Sequence, residues 1–252
     1  MMWRHKILQL KERLEATRFT VAGISINALM IFWWGVIVAA FLTLDLKYWV
    51  QLLSLLVAII LHEVAHGWVA FKLGDPTAKN LGRLSLNPAV HLDLIGSFVL
   101  PGMMMLSGTG VLFGWAKPVP VDPRYFRDSH KGMMLVAMAG PLTNLAIAWF
   151  SGQFLVAVGF LPYNMQEIAV LLLSSSILVN IVLAIFNCIP VPPLDGSRVL
   201  SYFLPLKGRL FLHQLENYGF LIIFILLYLG FFDVLIRRIL PVVLKLIVPS
   251  FL

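Results

Sequence analysis

The chain has 252 residues, of which 60% are hydrophobic and only 12% charged. Soluble domains carry about 25% charged residues, so a soluble, disordered or coiled-coil protein is excluded and an integral membrane protein is expected. The net charge of +7 fits the positive-inside bias, because Lys and Arg gather between apolar runs. No basic face with interleaved aromatics points to nucleic acid. Cys188 stands alone, which rules out an intrachain disulfide or a Cys-based zinc cluster.

The first 18 residues carry Arg4, Lys6, Lys11, Arg13 and Arg18 and predict a short basic helix. Twenty-six uncharged residues follow, up to Asp45, and read as a first span behind a basic leader, without a small-residue cleavage site. Residues 48–71 form a 24-residue run whose only formal charge is Glu63. Residues 94–116 are uncharged but broken by Pro101, Gly102, Gly108 and Gly110. Residues 132–166, 168–194 and 217–236 are further apolar runs, the last crossing Asp233. A span needs about 20 apolar residues. The expectation is an all-α polytopic bundle of about five to six transmembrane helices with one re-entrant or irregular segment. It divides into a basic helix and extra first span (1–47), a catalytic membrane core (48–236) and an amphipathic tail (237–252) that lies along the membrane surface.

Charge decides how 94–116 is placed. With a cytoplasmic N-terminus and a full span there, Lys and Arg divide eleven inside to eight outside; with a segment that dips in and returns, fifteen to four. The re-entrant reading obeys the positive-inside rule better. Irregular backbone at membrane depth also requires cover by protein or a water cavity, so the segment is expected to line something.

The chemistry centres on His62-Glu63-Val64-Ala65-His66 inside the second run. Positions i and i+4 share a helix face about 6 Å apart along the axis, the spacing two ligands of one zinc ion need, and Glu63 lies beside them. Burying two histidines and a carboxylate in an apolar span is costly, and ionisable residues there are functional by default. A catalytic zinc needs a third protein ligand. His5, His130 and His213 sit in surface stretches, and His91 and Asp93 flank the broken segment as possible ligands or interfacial turn residues. Asp195 is the stronger candidate. It follows Pro190, Pro192 and Pro193, which force extended backbone, and precedes Gly196, which permits a sharp turn. The alternative for Asp195 is a cap on the next helix. In the re-entrant topology the second run and 168–194 both travel outward to inward, which brings Asp195 to the side nearer His62.

The His62–His66 helix, the Gly74–Pro88, Phe113–Pro123 and Ala139–Asn144 stretches, and Asn187–Gly196 with its NxxPxxPLDG pattern together resemble the site-2 protease family of intramembrane zinc metalloproteases. The resemblance covers roughly 48–236. It implies one zinc ion per chain on His62, His66 and Asp195, with Glu63 as the catalytic carboxylate. It also implies a multi-pass protein of the cell (inner) membrane with a cytoplasm-facing site. The implied partners are the bilayer and membrane-spanning protein substrates, such as an anti-sigma factor or a signal-peptide remnant. Asn144 and Asn187 could donate hydrogen bonds at the reacting carbonyl or bond between helices. The competing readings are a metal or proton transporter, which predicts repeats that are not visible, and a non-catalytic adaptor.

Overall fold

The computed structural model describes residues 18–21, 24–27, 45–93, 96 and 117–248. The chain divides into two compact units, Met1–Trp49 and Val50–Leu252. In the first, β1 (Arg18–Val21) pairs antiparallel with β2 (Ile24–Asn27), Arg18 opposite Asn27 and Val21 opposite Ile24. The sequence reads these residues as the start of a membrane helix. The structure differs because Thr20, Val21, Ile24 and Ile26 are β-branched, a side-chain type that fits a pleated ribbon. The remainder of that expected span, the basic leader and the broken segment 94–116 (Gly96 apart) lie outside the described residues.

Helix α1 (Leu46–Lys72) carries the two histidines. It ends where Gly74 takes a left-handed φ of 107°, a conformation that favours glycine. The following turn is pinned by Asp75, fully buried, whose Oδ1 accepts from the Thr77 amide and Oδ2 from the Asp122 amide at 2.7 Å. After the short α2 (Thr77–Asn80), single 3-10 turns at Pro88–Val90 and Pro123–Tyr125 carry the chain. Asp128 caps α3 (Ser129–Val156) by accepting from the His130 and Lys131 amides. Those bonds hold the Asp128 carboxyl below the usual range, so the cap is present at neutral pH and is lost as pH falls through its lowered value.

A 3-10 turn at Ala157–Phe160 leads into α4 (Tyr163–Asn187). Helices α3 and α4 meet through small and polar residues, including Ala148 against Ile177 and Ile181, and a Ser151–Ser176 hydroxyl contact of 2.9 Å. Such residues let backbones approach where lipid supplies no hydrophobic drive. The outward faces carry Leu142, Trp149, Phe150 and Phe154 exposed, as a lipid-facing surface does.

Short helices complete the chain: α5 (Asp195–Phe203), α6 (Leu206–Glu216), α7 (Gly219–Tyr228) and α8 (Phe231–Ile247). Among the described residues three helices are long and apolar enough to cross a membrane, or four if the α6–α7 pair, bent by 77°, counts as one. Of the runs behind the expected five to six, 94–116 and most of 19–44 lie outside the described residues, and the other four give three to four. The run 217–236 is no straight span, because α7 has only ten residues and Gly230, at φ 69°, turns the chain into α8. Nor does the tail begin at Arg237. Helix α8 runs through that point, and Ile247 and Val248 are buried in the α3–α4 core, where Val248 Cγ2 would lie 2.7 Å from a Cβ at Gly152.

Candidate metal centre

Two helices, α1 and α5, bring His62, His66 and Asp195 together, with one ligand atom from each residue within 4.8 Å of the others. One helical turn separates the two imidazoles on α1, with ring centroids 4.6 Å apart and planes at 88°. Asp195, the first residue of α5, reaches His62 Nε2 at 3.1 Å and His66 Nε2 at 3.2 Å through Oδ2. The carboxylate is brought there by the Pro190–Leu194 turn. This turn sits tightly on its surroundings: a Cβ at Gly196 would meet the Cys188 carbonyl oxygen at 2.3 Å, and one at Gly219 the Pro192 carbonyl oxygen at 2.6 Å.

The outer nitrogens define what the inner ones offer. His66 Nδ1 lies 2.6 Å from the Val136 carbonyl, which can only accept, so Nδ1 donates. His62 Nδ1 lies 2.6 Å from Asn144 Oδ1. The Asn144 amide nitrogen donates to Asn180 Oδ1 at 2.8 Å and to the Ala58 carbonyl at 3.3 Å. Asn144 therefore presents its oxygen to His62, and His62 Nδ1 donates too. With both outer N–H groups committed, each neutral imidazole aims an Nε2 lone pair at the Asp195 carboxylate. Three electron-pair donors converging on one point require a cation between them. Two imidazole nitrogens, each ring fixed by a second partner, and a carboxylate oxygen are the donor set of a catalytic zinc site. Space is kept for it by Gly140, where a Cβ would stand 2.5 Å from Nε2 of both His62 and His66.

Glu63 is held from the other side. Its Oε2 accepts from the Val119 amide at 2.8 Å, which commits one oxygen and leaves the other for a proton. Val119 belongs to an extended stretch held by Arg83. That buried guanidinium donates to the carbonyls of Val90, of Lys117 at 2.6 Å and of Pro118 at 3.0 Å. The Lys117 amide in turn donates to the His91 carbonyl at 2.8 Å.

The candidates raised from sequence separate accordingly. His62, His66 and Asp195 come together, with Glu63 beside them. Asn144 is not placed as a donor at the reacting carbonyl, because both of its N–H groups are used between helices; it positions His62. Asn187 donates to the Leu183 carbonyl on its own helix at 3.0 Å. His91 is fully buried but bonds the Ser85 carbonyl through Nε2 at 2.7 Å, away from the cluster, and Asp93 Oδ1 accepts from the Gly96 amide. Sequence reasoning missed Asn180, Gly140, Val119 and Arg83. The last three lie inside stretches singled out for their resemblance, but nothing in spacing along the chain links them to His62, His66 or Glu63.

Comparison with known proteins bears on the same arrangement. The model of peptidase family M50 matches residues 150–230. "Putative zinc metalloprotease YwhC" of Bacillus subtilis is 39% identical over 180 residues, covering 69% of this chain and 78% of its own length. Similarly named proteins are Rip2 of Mycolicibacterium smegmatis (28% over 183 residues, 68% and 64%) and MJ0611 of Methanocaldococcus jannaschii (29% over 160 residues, 59% and 73%). No solved structure matches the chain significantly. The share and identity of the Bacillus protein, with the matched family model, establish that the chain belongs to peptidase family M50, the membrane-embedded, zinc-dependent site-2 proteases.

Proposed function

We propose that this zinc-dependent intramembrane endopeptidase holds its ion on His62, His66 and Asp195 and uses Glu63 as general base and acid. The observation that carries the reading is the convergence of three electron-pair donors beneath Gly140. Bound there, zinc supplies Lewis acidity toward water and a peptide carbonyl. The chain's own residues do the rest. Asn144 and the Val136 carbonyl keep both imidazoles in the ligating tautomer. The Val119 amide fixes the Glu63 carboxylate so that its other oxygen can take a proton from the attacking water and pass it to the leaving amine. Helix α1 sets the depth of the chemistry, because His62 lies ten residues, about 15 Å, before its end at Lys72.

The substrates are proposed to be single-span membrane proteins, such as an anti-sigma factor or a signal-peptide remnant, cut from the cytoplasmic side of the cell membrane. A helical substrate must unwind first, since its carbonyls are occupied by i to i−4 bonds. Asn187 keeps a proposed role as a donor near the reacting carbonyl through its second N–H. Family membership favours this reading over the transporter and the adaptor. Zinc per chain in the purified protein tests the ligand set: about one ion in the wild type, lost or sharply weakened in Asp195→Ala. Full zinc retention by that variant would sink it.

A further inference from the structure

A second polar cavity lies outside the metal cluster. It has a volume of about 240 Å³ and is walled by α3, α5 and α6, with His130, Arg198, Arg209, His213 and Glu216 among its lining residues. Two guanidinium groups face it, and its one carboxylate, Glu216, is already engaged by His213 Nδ1 at 3.1 Å. The Arg209 Nε–H is fully buried and has no hydrogen-bond partner among the described residues. A buried guanidinium donor without an acceptor is costly and asks for an anion. Arginine forks match phosphate oxygens in particular.

The surroundings indicate where the anion comes from. Helix α6 bends by 77° from α7, so if α7 points into the bilayer, α6 lies close to its surface. On another side of α6, Leu206, Leu210 and Phe211 are more than half exposed, as in a helix resting its apolar face in the interface. Basic pockets at such a level bind phospholipid headgroups.

We propose that this cavity is a binding site for the phosphodiester headgroup of an anionic phospholipid, held by Arg198 and Arg209. The site adjoins the metal cluster through α5, whose first residue is Asp195 and whose Ser197 and Arg198 line the cavity.

The test uses the full chain reconstituted in phosphatidylcholine nanodiscs with increasing phosphatidylglycerol, with lipid retained after transfer to zwitterionic detergent counted by native mass spectrometry. The wild type retains phosphatidylglycerol in preference to phosphatidylcholine. Arg209→Gln and Arg198→Gln each weaken that retention about tenfold, the loss of one charge-assisted hydrogen bond. Glu216→Gln strengthens it, which keeps the proposal falsifiable if an arginine variant fails to fold. Equal retention of both lipids, no change in the arginine variants, or weaker retention in Glu216→Gln would overturn it. Binding of inorganic phosphate with no lipid preference would overturn the lipid source.

Discussion

The two sides of the metal centre are held by different means. On the ligand side, His62 is anchored by an amide, Asn144, that is fully buried between three helices and tied to Asn180 and Ala58. On the catalyst side, Glu63 is anchored by one backbone amide of a loop, and that loop by the Arg83 guanidinium. The helical side resists displacement because moving it breaks a packed amide network with no water to replace the bonds. The loop side leans on one cation and two backbone amides, those of Lys117 and Asp122. Metal binding and proton transfer are thus separable by mutation, although His62 and Glu63 are adjacent in sequence.

Five substitutions break or sharpen this contrast. The largest effect belongs to Glu63→Gln, which removes the proton acceptor and leaves the ligands intact. Cleavage of a reconstituted substrate falls by about 10² to 10⁴ while zinc content stays at the wild-type level, and a variant that still cleaves at full rate contradicts the assignment. Gly140→Ala acts on the other side. Its Cβ collides with both Nε2 atoms at 2.5 Å, so zinc affinity drops by at least the roughly 10- to 100-fold seen when outer partners of metal ligands are lost; competition with a chelator measures it.

Asn144→Ala frees His62 Nδ1 and lowers zinc affinity by about 10- to 100-fold. Asn180→Ala, one bond further out, costs less on the same titration, about 0.6 kcal/mol if it matches the average membrane hydrogen bond. The reverse ranking would show that Asn180 contacts the site by another route. The smallest effect is expected of Arg83→Lys, which keeps the charge but cannot bond three carbonyls at once. The turnover number falls only about twofold, because the retained ammonium still bonds part of the loop and the loss stays at the low end of a net hydrogen bond, with KM and zinc content unchanged. Loss of zinc in this variant would mean that the loop also holds the metal side.

The cluster of His62, His66 and Asp195 was largely legible along the chain. The i, i+4 histidines carry their own geometry, and the proline run before Asp195 marks a turn that must end near something. Gly140 and Asn180 were not legible, because a small residue and an amide inside apolar helices look like ordinary packing until the partner helix is known. Arg83 and Val119 were hidden for a related reason: a backbone amide has no sequence signature. The run 217–236 and the start of the first run failed differently. Apolar runs report composition and not continuity, so the left-handed Gly230 inside 217–236 and the pairing of 18–27 went unseen.

Asp195 stands 133 positions after His62, and that interval is also a time. At roughly 5–20 residues per second, a ribosome takes about 7–27 seconds to cover it. During that interval α1 carries two of the proposed ligands and the proposed base without the third ligand, so the nascent chain has no assembled site. The long separation acts as a built-in delay, with no pro-segment required to keep the newborn enzyme silent.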